Sequence, residues 1–290
     1  MHPAPSVIIF SVVSGMGFGL LAYLGAGIVA PAGWTAFLWW GFGYGLAIVG
    51  LLAATFHLGN PKNAIKAFGQ WRTSWLSREA WAAVATLVAL APVALSDWLG
   101  LGWPRGIGYV GTVLAVFTVF TTSMIYTQIK AVPRWNHWIN PVMFVGFAMA
   151  GGALLAGQGW AIFPLAGLGL VLVAAWRFGD AQFPIAAQTM GTATGLDRIG
   201  KVTVFEQPHT GGNYLMREMI FVVGRKHSHK LRVIALLLTS IVPAIVLAAL
   251  PSAIWVFGIA TLCHVVGAFA ARWLFFAEAE HVVGLYYGAR

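Results

Sequence analysis

Charge is what this 290-residue chain most lacks: Asp, Glu, Lys and Arg together make up 9% of it, where a soluble domain carries about a quarter. Hydrophobic residues make up 59%, so a water-facing surface over a separate core is excluded and the chain reads as built for lipid. Cysteine is nearly missing too. Cys263 stands alone in an apolar stretch, which excludes an internal disulfide and a cysteine-ligated iron–sulfur cluster, so any such cluster belongs to a partner. Acidic residues number 8 against 17 basic ones, a formal net charge of +9. The basic residues are spread over connections between apolar runs, so the excess points to topology and anionic lipid headgroups and not to nucleic acid. A basic leader is also lacking: the first apolar run begins at Ser6 and reads as a retained helix, not a signal peptide.

What is present is a series of long apolar segments. A bilayer core takes about 20 helical residues, and eight segments approach or reach that length: Ser6 to Ala30, Gly33 to Leu58, Ser77 to Leu99, Ile107 to Ile129, Ile139 to Ala156, Ala161 to Gln182, Val233 to Leu250 and Ser252 to Ala277. Lipid gives backbone groups no water to pair with, and the unbroken runs lack the alternation of a barrel strand. The expected fold is therefore an all-α integral membrane protein, a single transmembrane domain over residues 1–290 with eight spans. The 14 Trp and 35 Gly fit interfacial anchoring and close helix approach.

Alternating the connections between two sides puts every Lys and Arg except Arg105 on the side of both termini, Arg272 among them. The positive-inside rule then makes that side cytoplasmic, in a bacterial inner membrane. One long connection, 183–232, holds most of the extramembrane mass and reads as a partner-docking segment; a lipid-binding stretch around Arg225, Lys226, His227, His229 and Lys230 is the alternative. Between the second and third spans, Asn60 to Arg72 carries Ile65, Phe68 and Trp71 at three-residue steps with Lys62, Lys66 and Gln70 between, the pattern of an interfacial amphipathic helix.

Ionisable groups within or at the ends of spans are functional candidates because they are costly in lipid. His57 at the end of the second span and Glu79 near the start of the third fall at one depth, and a histidine with a carboxylate can exchange the two protons of two-electron quinone chemistry. Position alone also fits a structural reading, with Glu79 at the positive end of the third helix, Ser77 as its N-cap, and His57 a hydrogen-bonded helix-end residue. His264 is the one deep histidine and lacks a second axial histidine at its depth, so no haem is expected. His137 and His209 fall in connections. Asp97, Arg177 and Asp180 lie near helix ends and no inverted repeat is visible, which leaves a secondary transporter as the weaker rival.

The run His57-Leu-Gly-Asn-Pro61 with Ser74-Trp-Leu-Ser-Arg-Glu79 resembles the membrane anchor subunits of the dimethyl sulfoxide reductase type. So does the stretch from Tyr126 through Val132-Pro-Arg-Trp135 and Trp138-Ile-Asn-Pro141 to Gly151-Gly152. The resemblance implies eight helices, an iron–sulfur subunit and a molybdenum catalytic subunit as partners that carry those cofactors, and exchange of electrons with membrane quinone, ubiquinone or menaquinone. It places the quinone site at His57 and Glu79, with Ser74, Arg78 and Tyr126 as pocket wall, and implies no metal ligand in this chain. The start Met1-His-Pro-Ala4, the segment Gly195-Leu-Asp-Arg-Ile-Gly-Lys201 and Pro208-His-Thr-Gly211 are similar to anchors of cytoplasmic sulfite-oxidising complexes. That branch implies sulfite oxidation with quinone reduction on a cytoplasmic docking face; a quinol-oxidising anchor of a sulfoxide reductase is the alternative.

Overall fold

The computed structural model describes residues 1–57, 61–206, 213–220 and 227–287, without the side chains of His57, Pro61 and Lys62. The sequence features at Leu58 to Asn60, His209, the Pro208 to Gly211 motif, Arg225, Lys226 and Arg290 lie outside the described residues. Among the described residues every regular element is helical. The long ones are α1 (Pro5–Gly25), α2 (Gly33–Ala53), α3 (Trp75–Leu99), α4 (Gly106–Thr127), α5 (Ile139–Leu155) and α6 (Ile162–Ile185). Two short helices follow, α7 (Met190–Thr194) and α8 (Tyr214–Glu218). Then α9 (Ser228–Leu236) runs through a π-helical turn, Leu237–Ile241, into α10 (Val242–Ala249), and α11 (Ile254–Ala277) closes the bundle.

Among the described residues seven helical stretches are long and apolar enough to cross a membrane: Pro5–Gly25, Gly33–Phe56, Trp75–Leu99, Gly106–Thr127, Gly159–Ile185, Ser228–Ala249 and Ile254–Ala277. The remaining expected span, α5, is apolar but has only 17 residues. It starts where Asn140 Nδ2 donates to the Trp135 carbonyl and ends near Trp160, whose ring meets Tyr23 of α1 at 5.3 Å. Most of α5 is buried, and α1 is the most enclosed helix of all. These two form the core, and glycine is what lets them touch. A Cβ on Gly152 would stand 2.4 Å from the Gly19 carbonyl carbon, so only glycine at both positions allows backbone contact.

Several boundaries differ from the sequence reading. The third helix begins at Trp75 and not Ser77; Ser74 is its N-cap in extended conformation, and Ser77 is a buried residue within it. The second helix tightens into a 3-10 turn over Ala54–His57. Helix α6 continues to Ile185 and α9 already starts at Ser228, so the long connection of 183–232 gives up residues to both flanking helices. The amphipathic segment is a 3-10 helix, Pro61–Phe68, whose three-residue turn is the period of Ile65, Phe68 and Trp71. Phe68 meets Trp81 edge-on at 5.4 Å and its carbonyl accepts from Trp81 Nε1 at 3.1 Å, while Ile65 and Trp71 stay exposed.

Ion pairs lie at both ends of the bundle. At the end holding Met1, the terminal amine donates to the Ala279 carbonyl at 2.7 Å, and Val282 N–H donates to the Ala131 carbonyl. Arg134 and Arg232 share Asp180 and Glu278 there at 2.6–2.8 Å, tying the connection after α4 to α6, α9 and the end of α11. At the other end Arg105 pairs with Asp97 at 2.8 Å and donates to the Leu24 carbonyl, and Trp40 Nε1 also donates to Asp97. Arg105 is thus paired with a carboxylate near its own helix end.

Candidate functional site

Glu79 is the fifth residue of α3, beyond the first turn, and it is 4% exposed. A carboxylate placed to complement a helix dipole belongs in the first turn and in water; this one is turned into the bundle against α4. Its partner there is the Thr122 hydroxyl, which donates to Oε1. Thr122 Oγ1 also lies 3.0 Å from the Thr118 carbonyl. The hydroxyl has one hydrogen for two acceptors. With Glu79 ionised the two acceptors share that hydrogen; with Glu79 protonated each contact has its own, the carboxyl donating to Thr122 and Thr122 to Thr118. The arrangement suits a group that takes up and releases a proton.

One turn further along α4, Tyr126 is ringed by aromatic side chains. Trp135, Phe144, Phe275 and Phe276 all meet it at 5.3–5.8 Å between ring centroids. Four residues on from Thr122, it lies on the same face of α4 as the contact to Glu79. Arg272 is the departure from the sequence reading that matters most. Alternation of the connections assigns it to the charges of the basic side, yet it sits inside α11, 2% exposed, with its guanidinium carbon 3.5 Å from the Phe144 ring centroid and 4.8 Å from that of Phe147. The stacked geometry offers cation–π attraction to a guanidinium whose Nε and Nη1 have no hydrogen-bond partner among the described residues. A lone arginine in the run Ala270-Ala-Arg-Trp273 is the signal the sequence offers for it.

The wall residues separate. Arg78 follows a different face of α3 from Glu79. Its Nε donates to the Trp71 carbonyl at 3.0 Å and its Nη2 to the Arg72 carbonyl at 2.6 Å, and its guanidinium stacks on Trp75 at 4.3 Å. It clamps the interfacial segment onto the start of α3. With Phe68, Trp71, Trp81, Leu114 and Phe117 it lines an open groove of about 510 Å³, and Glu79 is not among the lining residues. Ser74 is half-buried at the N-cap, without a side-chain capping bond. The side chain of His57 lies outside the described residues. From the candidate set the structure therefore brings together Glu79 and Tyr126 and sets Arg78 apart. Asp97 and Asp180, the helix-end carboxylates, are both engaged in ion pairs.

An apolar helical bundle with a carboxyl group and a guanidinium sealed inside it defines a multi-pass membrane protein. The chain belongs to the family described as DMSO reductase anchor subunit (DmsC), whose model matches residues 7–278, the family that the His57 and Ser74 runs resemble. It is also similar to a subunit of the sulfite dehydrogenase of Allochromatium vinosum, 30% identical over an alignment of 327 residues that covers 99% of each chain. No solved structure matches.

Proposed function

We propose that this chain is the membrane anchor and quinone-reactive subunit of a molybdenum and iron–sulfur oxidoreductase, passing electrons between a partner iron–sulfur subunit and membrane quinone. Family membership and the sulfite dehydrogenase relative favour sulfite oxidation with quinone reduction. In this reading α5 crosses the bilayer as an eighth span, both termini are cytoplasmic, and the iron–sulfur and molybdenum subunits dock on the basic end of a bacterial inner membrane. The charge asymmetry supports that orientation: Arg105, the one basic residue expected at the far end, is matched by Asp97.

The observation that carries the reading is the buried Glu79 carboxyl, held by a threonine that has its own second acceptor. Quinone reduction consumes two protons, and a group at the quinone ring must supply them in a site that excludes bulk water. Glu79 gives one proton and His57, at the adjoining helix end, gives the other; Thr122 holds the carboxyl in place as its charge changes. The groove at Arg78, between α3 and α4 beneath the interfacial helix, offers the lipid-soluble ring and tail a lateral approach. When bound, quinone supplies the electron-accepting chemistry and the chain supplies proton exchange and exclusion of water. The partners hold the iron–sulfur clusters and molybdenum, in keeping with a single cysteine here.

The test is Glu79→Gln in the assembled complex, with His57→Ala alongside. Quinone turnover is expected to fall on the order of 10²-fold or more, while both partner subunits still copurify and the molybdenum subunit still reduces a soluble dye. Normal quinone turnover in the Glu79 variant sinks the assignment. A chain that purifies without iron, sulfur or molybdenum partners sinks the anchor reading and returns the transporter.

A further inference from the structure

His264 and Arg272 are deeply buried polar side chains that the proton exchange at Glu79 does not require. Both belong to α11, about 12 Å apart along its axis at about 1.5 Å per residue. Helical side chains lean toward the N-terminus, so the long Arg272 side chain reaches back toward His264. With Ser11, Met16 and Phe147 the two line one small cavity of about 10 Å³.

The chemistry of His264 is set by a proline on another helix. In an α-helix the Thr239 carbonyl accepts from the N–H of residue 243, but that residue is Pro243 and has none. The chain widens into the π-helical turn Leu237–Ile241 at this point, and His264 Nδ1 lies 2.7 Å from the Thr239 carbonyl. A carbonyl only accepts, so Nδ1 carries the hydrogen and the Nε2 of the neutral ring is left as an acceptor. Gly267 permits the approach, since a Cβ there would stand 2.5 Å from Thr239 N. Across the cavity Arg272 offers donors. His264 Nε2 and Arg272 Nε and Nη1 are buried without a hydrogen-bond partner among the described residues. Buried polar groups in folded proteins are nearly always satisfied, by ordered water where protein does not serve.

We propose that one water molecule is bound in this cavity, donating to His264 Nε2 and accepting from an Arg272 N–H. Water fits because the ligand must donate on one side and accept on the other. A halide ion has no hydrogen for Nε2, an oxyanion is too large for about 10 Å³, and a metal cation would face the guanidinium charge. The volume matches as well, since a cavity of about 10–15 Å³ holds a single water. The bridge fixes the guanidinium against Phe144 and Phe147 and ties α11 to the widened turn between α9 and α10.

A map of the intact complex at a resolution that shows ordered water is the direct test. A single peak within hydrogen-bonding distance of both His264 Nε2 and an Arg272 nitrogen is expected, unchanged when chloride in the buffer is replaced by bromide. An empty cavity overturns the proposal, and so does a peak that grows with bromide, which marks an anion on a protonated ring. Radiolytic footprinting supplies a second measurement. Bound water should yield an oxidised Met16 in the unaltered protein, lost in Gly151→Ala, whose added Cβ would lie 3.2 Å from His264 Nε2 and 2.8 Å from Met16 Cγ. Unmodified Met16 in the unaltered complex overturns the proposal, whether or not the variant assembles.

Discussion

The Thr122 hydroxyl of α4 stands between the Glu79 carboxyl of α3 and the Thr118 carbonyl of its own helix, and it has one hydrogen to share between them. Thr122→Val keeps the shape and removes that hydroxyl, so an ionised Glu79 loses its described partner. A hydrogen bond to a charged group is worth about 1.5–3 kcal/mol, which sets the expected fall in quinone turnover at roughly 10- to 100-fold. The rate should lie between those of the unaltered complex and Glu79→Gln. Equal rates for Thr122→Val and the unaltered complex would show that the threonine has no part in holding the carboxyl.

The ion-pair cluster at the basic end separates two acidic residues by burial. The Glu278 side chain is 5% exposed and bonds both Arg134 and Arg232, whereas that of Asp180 is 50% exposed. Breaking a buried pair by removing one partner costs about 3–5 kcal/mol, and an exposed pair is worth about 0–1 kcal/mol. Glu278→Gln is therefore expected to lower the thermal midpoint of the purified complex well beyond Asp180→Asn. Equal losses would mean that water screens both sites alike.

Gly152 meets the backbone of Gly19 so closely that an added methyl has nowhere to go, because its nearest neighbours are backbone atoms and not the ends of flexible side chains. Gly152→Ala is expected to cost at least about 1–3 kcal/mol, the usual range for overpacking. Gly159→Ala, where a Cβ meets nothing within 4 Å, serves as the control. Yield of folded protein after mild heating distinguishes the two.

His281, in the turn after α11, should make stability depend on pH. Its Nδ1 accepts from the Val283 N–H at 3.0 Å, and burial together with the charge of the terminal amine lowers its pKa from the ordinary 6.5. Between the lowered and the ordinary value the unfolded chain holds a proton that the folded chain does not. This contribution is complete above about pH 6.5 and is lost as pH falls through the folded value. Thermal midpoints measured on either side of that window should drop more for the unaltered protein than for His281→Gln. A drop of the same size in both assigns the effect to other groups.

The site is legible in its residue types more than in its arrangement. Glu79 stands out because a carboxylate near an apolar run has few innocent explanations, yet hydropathy puts the helix start at Ser77 whereas the N-cap is Ser74. That shift moves Glu79 out of the dipole's reach. Arg78 and Glu79 look like one motif, but neighbours on a helix point about 100° apart, so one clamps the interfacial segment and the other enters the bundle. Thr122 and Arg272 give weak signals, since a threonine in a span and an arginine near a span's end each have ordinary roles.

Run length and composition by themselves determined that this chain is a helical membrane bundle, because lipid offers the backbone no hydrogen bonds. Only the tertiary structure decided which polar groups face one another inside. A helix brings a given face to protein or to lipid according to its neighbours, and those neighbours, Thr122 for Glu79 and Phe144 for Arg272, come from distant parts of the chain.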